Sequence, residues 1–214
     1  FMEANEILSH IDHTLLKAVS DKDSIMRLCK EAVEYKTASV CVPPSYVKMI
    51  RENFSELKIC TVIGFPLGYC TKEVKVFETA DAVKNGADEV DMVINLGDVK
   101  NGEFDKITDE IAAVKKAAGD KILKVIIETC YLTEDEKVSL CRCVTDGGAD
   151  YIKTSTGFGD AGADINDIEL FKKHIGPNVK IKAAGGIRTK EAMEEFINAG
   201  CERIGTSGAK NLIN

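Results

Sequence analysis

The chain has 214 residues, 44% hydrophobic and 29% charged, with a net charge of −7. That composition is globular, unlike disordered or membrane-spanning chains, and its acidic balance argues against nucleic acid or an anionic membrane as the main partner. The length suits one substantial core, since α/β barrels commonly run about 200–250 residues as one domain.

The N-terminal FMEANEIL carries early acids and no basic region, so no signal peptide is expected. Phe1 before Met2 reads as an expression remnant, which sets one expected domain at residues 2–214. A first short strand is expected at Ile11–Leu15, and Ser20 could cap a helix with the face Ile25, Leu28, Cys29, Ala32 and Val33. Apolar runs at Ser39–Val42 and Ile59–Ile63 read as the next two strands. GADEVD, from Gly86, leads into a fourth at Glu89–Ile94. Phe104, Ile107, Ile111 and Val114 mark a helix, and Leu123–Ile127 a fifth strand. Thr133 with Glu136 makes a capping-box pattern ahead of Leu140, Cys141 and Val144. GADYIK, from Gly148, opens a sixth strand at Tyr151–Thr154, and Val179–Ala183 reads as a seventh. Thr189 could cap a helix carrying Met193, Phe196 and Ile197, after which GCERIG leads from Gly200 into an eighth strand, Arg203–Gly205.

The recurring Gly-small-acid pattern marks three helix-to-strand joints, with glycine just past the helix end. Strands spaced roughly 20–35 residues apart leave room for a helix between each pair, as parallel βαβ units require. The architecture expected is α/β, a single-domain (β/α)8 TIM barrel; a doubly wound open sheet is the alternative. No G-x-G-x-x-G follows a strand, which weakens the dinucleotide-binding form of that alternative. The eight cysteines, at 29, 41, 60, 70, 130, 141, 143 and 201, include no CxxC. In a large-core chain without a secretory signal they are expected as free thiols in a cytoplasmic setting. Cys141 and Cys143 form a CxC on a helix, where positions i and i+2 point apart, so no metal site is expected.

In this architecture chemistry sits at the C-terminal ends of the strands. Asp12, Asp91, Lys124, Lys153 and Lys182 lie in the otherwise apolar strands one, four, five, six and seven. Singly, each has a structural reading: Asp12 as a turn cap, Asp91 with Glu89 as a polar strand face, Lys124 at the barrel bottom, Lys182 with Lys180 as a solvated strand end. Together they suggest amine catalysis, because opposite charges offset one another's burial. A lysine attacks a carbonyl only when neutral, and desolvation plus a second cation favour that form. Lys153 and Lys182, on adjacent strands, would be such a pair, with Asp91 moving protons. AAGGIRT after strand seven and RIGTSG after strand eight fall where this architecture binds phosphate.

IDHTLLK, SVCVPPSYV, GADEVDMVIN, LKVIIET, IKTSTGF, KAAGGIRT and RIGTSG, in that order, closely resemble the deoxyribose-phosphate aldolases over essentially the whole chain. The resemblance implies a class I aldolase on a TIM barrel, acting in deoxyribose and deoxyribonucleotide catabolism. It would reversibly cleave 2-deoxy-D-ribose 5-phosphate to D-glyceraldehyde 3-phosphate and acetaldehyde, with no metal or organic cofactor. It implies Lys153 as the Schiff-base lysine, Lys182 as the second lysine that perturbs it, and Asp91 as the proton-relay acid. Lys124 and Asp12 would be the supporting network, and Thr156, Gly157, Gly185, Gly186, Gly205 and Ser207 the phosphate or substrate contacts. The implied partners are small phosphorylated sugars and aldehydes, and a homodimer or homotetramer.

The sequence departs from the family pattern at Phe158, where some members carry lysine, and at Gly208, where many carry a second serine. The chain ends at Asn214 without the C-terminal tyrosine of some members. Another Schiff-base phosphosugar aldolase, a transaldolase, and a non-catalytic phosphate-binding barrel are the alternatives. Cys41, at the end of the second strand, is expected to face the pocket and react with electrophilic aldehydes.

Overall fold

Eight short apolar runs become eight parallel strands that close on themselves: β1 (Ile11–Thr14), β2 (Ser39–Val42), β3 (Ile59–Ile63), β4 (Glu89–Val93), β5 (Ile122–Ile126), β6 (Tyr151–Lys153), β7 (Lys180–Ala184) and β8 (Arg203–Thr206). The computed structural model describes residues 1–213; Asn214, the last residue of the expected domain, lies outside them. Each strand pairs with its sequence neighbours, and β8 returns to β1 with Ile204 opposite Ile11. That closure gives the expected (β/α)8 barrel and overturns the open sheet. The helices are α1 (Ala4–Leu8), α2 (Lys22–Tyr35), α3 (Val47–Asn53), α4 (Lys72–Asn85), α5 (Leu96–Lys100), α6 (Phe104–Ala118), α7 (Glu134–Asp146), α8 (Ile165–His174) and α9 (Lys190–Ala199).

The period of two along each strand sorts residues between two environments. Outward residues such as Ile11, Val90, Leu123 and Ile152 join Ile25, Ile111 and Phe171 in one core between barrel and helices. Inward residues are largely polar, and strand register stacks them: Asp91 lies opposite Lys124, and Lys153 opposite Lys182.

The helix ends follow local chemistry. Thr133 and Glu136 form the expected capping box, and the Thr189 hydroxyl accepts from the Ala192 N–H at 3.2 Å. The cap of α2 is Asp21 rather than Ser20. Asp21 Oδ1 accepts the Ser24 N–H at 2.9 Å, where a carboxylate also meets the positive helix end, and the Ser20 hydroxyl has no partner among the described residues. Val33 is 54% exposed, so it drops out of the expected buried face. Gly86, Gly148 and Gly200 take φ of +116°, +79° and +121°, as the recurrent joint requires. All eight cysteines are free, and no helix among the described residues is long and apolar enough to cross a membrane.

His13 points outward from β1 under α2. Its Nε2 lies 2.9 Å from Glu31 Oε2, and among the described residues its Nδ1 has no partner. Burial lowers its pKa, outweighing the Glu31 carboxylate. The folded state therefore binds this proton less readily than the unfolded chain, so stability falls as pH drops below about 6.5. The expected result is a melting temperature that declines between about pH 7 and 5, with a shallower decline in His13→Gln. An identical slope in the variant would exclude His13 as the cause.

Candidate active site

The five charged residues found in the strands meet in one buried layer. Asp91 Oδ2 lies 2.9 Å from Lys153 Nζ and 2.7 Å from Lys182 Nζ, and its Oδ1 lies 3.0 Å from Lys124 Nζ. Asp12 Oδ2 lies 2.6 Å from Lys182 Nζ and 3.2 Å from Lys124 Nζ. The structural readings of these residues as caps or solvated strand ends are excluded, since Asp12, Asp91, Lys124 and Lys182 are wholly buried.

Sequence reasoning missed several members of this layer. Arg203 on β8 forks onto Glu89 at 2.7 and 2.9 Å and reaches Asp12 Oδ1 at 2.7 Å. Glu89 Oε1 accepts Lys124 at 2.6 Å, and the Ser39 hydroxyl donates to Asp12 Oδ1 at 2.7 Å. The spacing of Glu89 and Asp91 signalled a shared face, but not that the face was the lumen. Arg203 opens its strand, where a solvated position was equally consistent.

The layer thus holds four cations (Lys124, Lys153, Lys182, Arg203) and three carboxylates (Asp12, Glu89, Asp91). Burial raises the carboxyl of Asp91, but Lys124, Lys153 and Lys182 outweigh it and hold it well below the usual range. Asp12 is likewise held low by Lys124, Lys182 and Arg203 against its burial. Burial lowers Lys182, but Asp12 and Asp91 outweigh it and hold it above ordinary lysine; Lys124 is raised in the same way. Two donor sets, Cys41–Cys60–Asp91 and Asp12–Cys60–Glu89, each gather within 4.8 Å. Lys124 already touches all three of these carboxylates, so a metal ion would have to displace it.

Above the layer, at the C-terminal strand ends, lies a cavity of about 290 Å³. Lys153 is the one lysine of the layer on its wall, and all six expected contact positions, Thr156, Gly157, Gly185, Gly186, Gly205 and Ser207, line it too. Lys17 and Arg188, which the sequence reading did not single out, add two cations. Gly205 has a further duty: a side chain there would lie 3.0 Å from Lys182 Cε, so the glycine makes room for the lysine. The Thr156 hydroxyl is not free for substrate, because it donates to Glu128 Oε2 at 2.6 Å. Phe158 stands half-exposed at the rim with its ring edge-on to Phe65, centroids 5.5 Å apart. Cys41 is fully buried beside Cys60 and Val62, beneath Leu16 and Phe65, and lines no part of this cavity, contrary to expectation.

A closed (β/α)8 barrel with a lysine on the wall of a glycine-lined cavity, a carboxylate against it and a second ammonium on that carboxylate is built for amine chemistry on a carbonyl. Residues 7–214 match the model of the DeoC/LacD family aldolases. The chain is 59% identical over 213 residues to a deoxyribose-phosphate aldolase of Clostridium botulinum, covering 99% of this chain and 96% of that one. It is 59% identical over 208 residues to one from Clostridioides difficile, covering 97% and 95%. A tetrameric deoxyribose phosphate aldolase from Aeropyrum pernix superposes with a TM-score of 0.90 at 29% identity, over 99% of this chain and 91% of that one. The chain belongs to the DeoC/LacD aldolase family.

Proposed function

We propose that this chain is a class I aldolase that reversibly cleaves 2-deoxy-D-ribose 5-phosphate to D-glyceraldehyde 3-phosphate and acetaldehyde, through a Schiff base on Lys153. The observation that carries the reading is Lys153 on the cavity wall, with its Nζ 2.9 Å from Asp91. Lysine must attack as the free amine. With four cations facing three carboxylates, one proton can leave the layer without stranding a carboxylate. Of the lysines in the layer Lys153 alone lines the cavity, so it is the amine that a substrate carbonyl can meet.

The amine adds to the substrate aldehyde and expels water as an iminium forms. Removal of the C3 hydroxyl proton then breaks the C2–C3 bond. Its electron pair passes to the iminium as an enamine, and D-glyceraldehyde 3-phosphate departs. Protonation at C2 and hydrolysis release acetaldehyde and restore the lysine. Asp91, bridging Lys153 and Lys182, relays these protons, and Lys182 enters as the ammonium acid. Gly185, Gly186 and Ser207, with Arg188 and Lys17, receive the phosphate end.

Borohydride with acetaldehyde is expected to fix an ethyl group on Lys153, located by peptide mapping; label elsewhere, or none, removes the reading. A panel of deoxyribose 5-phosphate and ketose phosphates separates it from another Schiff-base aldolase or a transaldolase. At the rim, Phe158→Lys is expected to lower KM for the phosphorylated substrate about three- to fivefold, the scale of a partly exposed ion pair. An unchanged KM would mean that Phe158 stands away from the phosphate. We read residues 2–214 as one catalytic domain working in the cytoplasm, where free thiols persist. Assembly as a dimer or tetramer is testable by light scattering.

A further inference from the structure

Glu128 is a buried carboxylate that this mechanism does not use. It follows β5 and adopts φ +53°, ψ +67°, a left-handed conformation costly for a side chain of its size. It is buried, and among the described residues no lysine, arginine or histidine pairs with its carboxyl group. Both oxygens are instead spent on one residue of the cavity wall. Oε1 accepts the Thr156 N–H at 3.0 Å, and Oε2 accepts the Thr156 hydroxyl at 2.6 Å. Thr156 Oγ1 in turn accepts the Phe158 N–H at 3.0 Å. Gly159 keeps the space open, since a side chain there would lie 3.2 Å from Glu128 Cδ.

From this geometry we infer that Glu128 is a positioning residue for the substrate's phosphate end. It acts through Thr156 to hold the turn 156–158 in its binding shape. The carboxylate holds the Thr156 amide and hydroxyl, that hydroxyl accepts the Phe158 amide, and among the described residues the Gly157 N–H between them has no acceptor within the protein. That leaves it as the turn's available donor on the cavity wall. Two unfavourable features, a left-handed backbone and a buried carboxyl group without a basic partner among the described residues, are kept at one position whose contacts end on that turn.

The inference rests on the aldolase reading, and the test keeps the two apart. Borohydride trapping of acetaldehyde on wild-type Lys153 tests the reading alone, because acetaldehyde carries no phosphate. Glu128→Gly then removes the carboxylate while suiting the left-handed backbone, so a purely conformational role predicts full function. Positioning predicts KM for deoxyribose 5-phosphate raised about tenfold, the scale of one lost charge-assisted hydrogen bond. The rate of acetaldehyde trapping should move by less than about twofold, because no phosphate contact is involved. Thr156→Val should reproduce the KM change, and Thr156→Ser, which keeps the hydroxyl, should raise KM less than Thr156→Val does. An unchanged KM in folded Glu128→Gly and Thr156→Val, or a trapping rate that falls in step with the rise in KM, would overturn the assignment.

Discussion

Asp91→Asn is expected to lose turnover by about 10⁴-fold and to lose stability as well, on the usual scales for a proton-relay group and for an unpaired buried charge. The catalytic loss follows from the loss of the group that touches both Lys153 and Lys182. The stability loss follows from charge. Four cations would face two carboxylates, because Asp12 and Glu89 alone remain. Breaking a buried pair by removing one partner costs about 3–5 kcal/mol. Because Asp91 is held well below the ordinary carboxylate range, its contribution is complete above about pH 4 and is lost only as pH falls through the folded value. The deficit of the variant should therefore be nearly constant across neutral pH. Thermal denaturation from about pH 5 to 9, with borohydride trapping on the same samples, checks both halves. A variant that matches wild type in melting temperature would show that the lysines find other partners.

The barrel was readable because its signals are local. Short apolar runs, capping residues and the Gly-small-acid joint each report on a few neighbouring residues, and the strands were placed to within about a residue of their observed ends. α4 was harder to see. Lys75 lies on its inner face, wholly buried, and donates to Gly68 O at 2.6 Å and Val93 O at 2.9 Å while pairing with Glu110 at 2.9 Å. A lysine there breaks the apolar stripe by which an amphipathic helix is recognised. In the site, Asp91, Lys153 and Lys182 stood out as charges in apolar strands. Which charges meet is set by barrel closure, so Asp91 and Lys182 touch across 91 positions of sequence. Glu128 had no comparable signal. A glutamate just past a strand reads as a side chain in water until the left-handed backbone turns it inward. Cys41 failed for a related reason: the strand end was right, but Leu16 and Phe65 cover it.

Lys182→Met should separate the electrostatic part of the site from its scaffold. Without Lys182 the layer holds Lys124, Lys153 and Arg203 against Asp12, Glu89 and Asp91, three charges of each sign. No carboxylate is stranded: Asp12 keeps Lys124, Arg203 and the Ser39 hydroxyl, and Asp91 keeps Lys124 and Lys153. A methionine side chain of similar length can follow the same path past Gly205. The expected stability change is thus smaller than for Asp91→Asn. Catalysis should suffer more. The surplus cation is gone, so a proton leaving Lys153 now leaves a carboxylate in excess. Removing one neighbouring positive charge typically moves an amine's titration up by about 1–3 units. Adduct formation at pH 7 should fall by about 10–10³-fold, and the loss should narrow as pH rises. Trapping rates measured from about pH 6 to 10 on wild type and variant decide the matter. A slower rate with an unmoved pH profile would mean that Lys182 carries protons without setting the charge of Lys153.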